Sequence, residues 1–151
     1  MDEIAGLTDQ LRRSFVAEAW HGPSVLEILA DVNAAQAARR PLPAAHSIWE
    51  IVLHMTTWKD AVRRRALGEQ VPVTPEQDWP PVRETSDAAW AAALAGLRAA
   101  HADLVGVVGG LSARRLEEPL VPGGNTGYVQ LHGIVQHDLY HAGQIILLKR
   151  G

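Results

Sequence analysis

Apolar residues recur at helical spacing through most of the chain, and the interruptions fall on glycine and proline. Ile4, Leu7, Leu11, Phe15 and Ala19 stand three to four positions apart, predicting an amphipathic helix over Met1 to Trp20 that His21-Gly22-Pro23 stops. Ser24 to Asp31 forms a second, short piece carrying Val25, Leu26, Ile28 and Leu29. Asn33 caps a further turn at Ala34 to Arg39 before Pro41 and Pro43 forbid regular structure. Ser47-Ile48-Trp49-Glu50 fits a capping box and opens a long helix that Gly68 terminates. Residues 69–84 hold four prolines and little periodicity, so they read as a long surface connection, with Trp79 packing back onto a helix or lining a pocket.

Thr85 or Ser86 caps the next long helix, whose stripe is Trp90, Leu94, Leu97, His101, Leu104 and Val108 and whose stop is Gly109-Gly110. Its many alanines suit close helix–helix approach. Ser112 to Glu117 reads as one more turn, and Thr126 caps the last helix, Tyr128 to Lys149. Val129, Leu131, Ile134, Val135, Leu139 and Ile145 to Leu148 make that helix apolar on nearly every side, which predicts burial. No strand signal, internal repeat or low-complexity segment stands out. Four main helices with such connections predict an all-α domain spanning 1–151, an antiparallel or crossover four-helix bundle.

Chemistry enters with the histidines, seven in a chain of 151 residues. His137 and His141, four apart on the buried last helix, lie roughly 40° apart around its axis and about 6 Å along it, close enough to share a cation. His54, on the second long helix and flanked by Val52, Leu53 and Met55, faces the protein interior and could meet that pair across the core. The bland alternative for each is a core histidine hydrogen-bonded by ordinary partners. Three imidazoles would leave a coordination position open, the pattern of a catalytic site.

Trp20-His21-Gly22-Pro23-Ser24, His46-Ser47-Ile48-Trp49-Glu50 with His54 following, and His137-Asp138-Leu139-Tyr140-His141-Ala142-Gly143-Gln144-Ile145 together resemble the DinB superfamily, the DinB/YfiT-like metalloenzymes. The resemblance spans nearly the whole chain. It implies a four-helix bundle with a divalent metal held by His54, His137 and His141, a protein that often dimerises, and, in some members, transfer or isomerisation that depends on a low-molecular-weight thiol.

The remaining candidates are weaker. Gln144 lies on the face of His137 and His141 and reads as an orienter of a ligand or as an interhelix hydrogen bond. Glu50 stands one turn before His54, as a general base would, but its capping box accounts for it. Tyr140 supplies a phenol near the pocket or packs in the core, and Asp138 points to a neighbouring helix or an imidazole. His132, roughly 140° around the helix from His137, reads as core or pocket wall. His46 lines the site mouth or caps a neighbour, His101 packs between helices or lies on the surface, and His21 carries no assignment.

With no cysteine, disulfides, thiolate nucleophiles and sulfur ligands are excluded, and a metal must be held by nitrogen and oxygen. Such ligands suit zinc, with nickel or iron as alternatives. The formal charge of −3 and the lack of a basic stripe speak against nucleic acid, and Arg63-Arg64-Arg65 reads as solvation of a helix end. No apolar run approaches a membrane span and no signal-like segment opens the chain, so the expected setting is cytoplasmic with no membrane partner. The function expected is a small-molecule enzyme using a thiol as S-nucleophile. A metal-dependent hydrolase and a non-catalytic metal- or ligand-binding bundle are its rivals.

Overall fold

The computed structural model describes residues 2–151, which are helical throughout their regular structure. Asp2 caps α1 (Glu3–Phe15) by accepting from the Ala5 amide. Two short helices follow, α2 (Val25–Leu29) and α3 (Ala34–Ala38), closed at their N-termini by Ser24 with Glu27 and by Asn33 with Gln36. The Ser47/Glu50 capping box opens α4 (Ile48–Ala66) as the sequence predicts, and the left-handed Gly68 (φ 92°) lies just past its end. After α5 (Pro75–Asp78), Ser86 caps α6 (Asp87–Gly109), a turn α7 (Ala113–Glu117) follows, and Thr126 caps α8 (Gly127–Arg150).

The four long helices form the body: α4 packs against α6 and α8, and α1 packs against the same two. Pairing of His54 with His141, Lys59 with Asp138 and Arg65 with Gln130 shows α4 and α8 running antiparallel. Buried apolar side chains fall into two clusters. One gathers Phe15, Val52, Met55, Leu97 and Ile145; the other gathers Leu7, Leu11, Val62, Leu104 and Leu131. Every long helix passes from one cluster to the other at a buried polar residue: Ser14, Lys59, His101 and Asp138. These meet. The Lys59 ammonium donates to Asp138 Oδ2 at 2.7 Å and lies 3.4 Å from His101 Nδ1, and the Ser14 hydroxyl stands 3.3 Å from the same carboxylate oxygen.

Burial works against both charges of that pair, lowering the Lys59 pKa and raising that of Asp138, while their mutual attraction works to keep them. His101, stacked on Phe15 with ring centroids 3.9 Å apart, is driven neutral by burial and by the Lys59 charge, its pKa pushed down to about 3. A neutral imidazole can accept from the ammonium. His101 is therefore a buried packing residue.

Four sequence expectations are corrected. α1 stops at Phe15 rather than Trp20: Glu18 adopts φ 67°, held by Arg12 and Arg13, and the chain turns to bring Val25 and Ile28 to the core, leaving Trp20 100% exposed. The connection 69–84 contains α5, because Thr74 and Gln77 form a capping box around Pro75 at the first turn. The last helix is not buried on every side, since Val129, Leu139 and Leu147 keep a third or more of their surface exposed. Finally, α6 is long and apolar enough to cross a membrane by length and composition. Alanine supplies much of that apolarity, and Trp90, Leu97, Leu104 and Val108 turn inward.

Candidate metal centre

Three helices assemble the site: the long α4 and α8 and the short α5. The α4 stripe that buries Val52 and Met55 carries His54 to the α8 interface, where His137 and His141 stand one turn apart. Their Nε2 atoms converge: His54 to His137 is 2.9 Å and His141 to His137 is 3.0 Å. One nitrogen from each of the three lies within 4.8 Å of the others, so together they could hold a metal ion.

The outer nitrogens fix the tautomers. His54 Nδ1 faces the Asp78 carbonyl at 2.7 Å and the Asp78 carboxylate at 3.0 Å, and both are acceptors. His141 Nδ1 faces Gln144 Oε1 at 2.6 Å. Each Nδ1 must therefore carry the proton, which leaves both Nε2 atoms as bare lone pairs. His137 Nδ1 is buried with no partner, and His137 can donate one Nε2 proton at most. The two nitrogen–nitrogen contacts near 3 Å thus share one proton at most, so at least one of them lacks a hydrogen bond of its own, and a cation among the three would satisfy the bare lone pairs. The donor set suits a divalent ion.

Burial holds the imidazoles neutral, the form that ligates. It pushes His137 down to about 3, reinforced by the neighbouring imidazoles, and His141 down to about 4 against the opposing bond to Gln144. His54 is lowered for the same reason, although Asp78 counteracts part of the effect.

Asp78 was invisible as a site residue in the sequence. It closes α5, and its carboxylate also accepts from Trp58 Nε1 at 2.6 Å, so one short helix fixes the orientation of a candidate ligand. The only signal for it is the Thr74/Gln77 box. Trp79 does pack back, as expected: its indole is stacked between His46 at 3.5 Å and His54 at 3.9 Å.

The other candidates separate. Gln144 accepts from His141 Nδ1 within α8 and makes no interhelix bond among the described residues. Glu50 is consumed by its cap: burial works to raise its pKa, but the Ser47 amide and hydroxyl and the Arg40 guanidinium outweigh that and hold it low, so it is a poor base. Tyr140 is largely exposed and lies outside the core, its ring edge-on to His141 at 5.2 Å. Asp138 reaches the neighbouring α4 and α1 through Lys59 and Ser14. His132 is neither core nor pocket wall; its angle on α8 takes it to α1, where Nε2 lies 2.7 Å from Glu3.

Two cavities flank the imidazoles. One of about 430 Å³ lies on the His141 side among Leu42, His46, Trp79, Tyr140 and Gln144. Another of about 540 Å³ lies on the His137 side against Trp58 and Arg65. Residues 19–145 match the sequence model of the DinB superfamily. No curated protein and no solved structure matches the chain significantly.

Proposed function

Because this chain belongs to the DinB superfamily, we propose that it is a metal-dependent enzyme of the DinB/YfiT-like four-helix-bundle type, in which a low-molecular-weight thiol is the nucleophile. His54, His137 and His141 would hold the ion, zinc in the first instance and nickel or iron as alternatives. One observation carries the reading: three Nε2 atoms converge while Asp78 and Gln144 occupy the outer nitrogens of two of the rings. A bound divalent ion would supply Lewis acidity, lowering the pKa of a thiol near it.

The rest falls to the protein. Gln144 and Asp78 keep two imidazoles in the ligating tautomer, Trp79 shields one face of His54 from water, and the two cavities, one lined by His137 and the other by His141, offer space for small molecules beside the centre. In S-transfer the thiol loses its proton to solvent, sulfur bonds to an electrophilic carbon, and the leaving group departs with the electron pair. Thiol attack is preferred to hydrolysis because, among the described residues, the carboxylates near the centre are engaged and not free as a base for water: Glu50 is tied to Ser47 and Arg40, and Asp78 to Trp58 and His54.

The test begins with elemental analysis of the untagged protein beside a His137→Ala/His141→Ala variant. About one equivalent of transition metal, lost in the folded variant, is expected. Metal-loaded protein is then offered 1-chloro-2,4-dinitrobenzene with a panel of thiols, and separately a p-nitrophenyl ester without thiol. Ester cleavage alone would turn the reading to a hydrolase. Absence of metal even after incubation with zinc or nickel would leave a non-catalytic bundle.

A further inference from the structure

We propose that the cavity on the His137 side binds a small molecule through a carboxylate, with the Arg65 guanidinium as its anchor. The three consecutive arginines of α4 differ in what they face. Arg63 pairs with Asp60 at 2.7 Å and Arg64 with Glu69 at 2.8 Å. Arg65 is half-buried and pairs with no carboxylate among the described residues. Its Nε and Nη2 donate to the Val71 carbonyl at 3.1 and 2.7 Å, and Nη1 reaches Gln130 Oε1 only at 3.4 Å. A guanidinium has five N–H groups, so two remain for a ligand, and a planar fork suits a two-oxygen acceptor. Its carbon lies 5.5 Å from the Trp58 ring, which fixes its direction.

The cavity around it, about 540 Å³, includes His137, and among the described residues that line it none is acidic and Arg65 alone carries a formal charge. Trp58 and Ile134 give it apolar walls. A charged group aimed into such a space, in a chain of net charge −3, is a recognition element for an anion rather than for general solvation. The wall also has a gap. Gly133 sits in the interior of α8, one turn before His137, where glycine is the poorest helix former after proline. A Cβ placed there would meet nothing within 4 Å, so packing does not demand the glycine. Its missing side chain keeps the cavity open.

The ligand class is therefore a carboxylate with a small apolar body, and its place beside His137 makes it the thiol cosubstrate of the proposed reaction. That role rests on the function proposed above; the carboxylate contact does not. Isothermal titration of EDTA-treated protein with 3-phenylpropanoate and with its amide, 3-phenylpropanamide, separates the two. The carboxylate is expected to bind at least tenfold tighter than the amide, with the difference shrinking as salt is raised and vanishing in Arg65→Gln. Gly133→Leu should abolish binding of both while its melting temperature stays at or above that of the unaltered protein. Equal affinities, discrimination that survives in Arg65→Gln, undiminished binding in Gly133→Leu, or no binding of either probe would each overturn the assignment. Carboxylate selectivity in a protein that never takes up metal would sink the enzyme reading and leave the anchor standing. Metal uptake without selectivity would do the reverse.

Discussion

Lys59→Met tests the buried polar layer most directly. Both members of the Lys59–Asp138 pair have 0% side-chain exposure, and their atoms are 2.7 Å apart. Removing the ammonium leaves Asp138 with the Ser14 hydroxyl at 3.3 Å on Oδ2 and nothing on Oδ1. Breaking a buried pair by deleting one partner costs about 3–5 kcal/mol, because an uncompensated charge stays behind. For a chain of this size that is a fall of roughly 6–20 °C in melting temperature, at about 2–4 °C per kcal/mol. Urea unfolding followed by far-ultraviolet circular dichroism at pH 7, in EDTA so that metal binding does not enter, reads the change. The double variant Lys59→Met/Asp138→Leu should return to within about 1 kcal/mol of the starting stability, since two apolar groups of similar volume leave no stranded charge. A single variant that loses less than about 1 kcal/mol with its fold intact would refute the reasoning.

The same layer predicts acid sensitivity through His101. Its folded pKa of about 3 lies below the ordinary 6.5, so folding favours the neutral form. The stability this contributes is present above pH 6.5 and drains away as pH falls toward 3, amounting to about 2 kcal/mol by pH 5. Unfolding free energies at pH 7 and pH 5 should therefore differ by about 2 kcal/mol less in His101→Leu, and an unchanged pH dependence would rule the mechanism out. Gln144→Leu removes the acceptor that fixes His141, so zinc affinity measured by chelator competition should fall about 10- to 100-fold. Gln144→Glu should restore most of it; unchanged affinity in the leucine variant would show that Gln144 orients nothing. In the double variant of the buried pair, zinc affinity is expected to drop at least tenfold although stability is recovered, and full affinity there would show that the layer has no part in aligning the imidazoles.

What the sequence discloses follows from how local the signal is. Ser47 with Glu50, Ser86 and Thr126 mark helix starts because capping is a contact within four residues. His54 and the His137/His141 pair are legible for a similar reason: apolar flanks set the direction of one, and helical spacing sets the other. The end of α1 is not legible, since Ala19 continues the apolar period and only the packing of Phe15 and the turn at Glu18 reveal the break. Asp78 escapes because its contribution to the site is a carbonyl and a carboxylate delivered by a helix too short to show periodicity. Arg65 reads like its neighbours on a solvated helix end, and only the folded structure, which gives it no carboxylate among the described residues and a place on the cavity wall, distinguishes it. Lys59 is the hardest case. A lysine on an amphipathic helix looks like a solvent-facing charge until a carboxylate seventy-nine positions away is brought against it.

That hidden pair bears on the site itself. Asp138 follows His137 directly on α8, and Lys59 lies five residues past His54 on α4. The antiparallel register that puts Lys59 against Asp138 is thus the one that puts His54 against His137 and His141. Apolar side chains tolerate several registers, because leucine against valine differs little from leucine against isoleucine. A slip of one helical turn, about 5.4 Å, would leave much apolar contact in place while stranding a buried ammonium and a buried carboxylate. The polar layer makes that slip expensive where the two apolar clusters would not, and it does so within one residue of the imidazole that bridges the other two. On this argument Lys59 and Asp138 are positioning residues: they touch none of the three histidines' ligating nitrogens, yet they select the alignment of α4 and α8 in which those nitrogens converge.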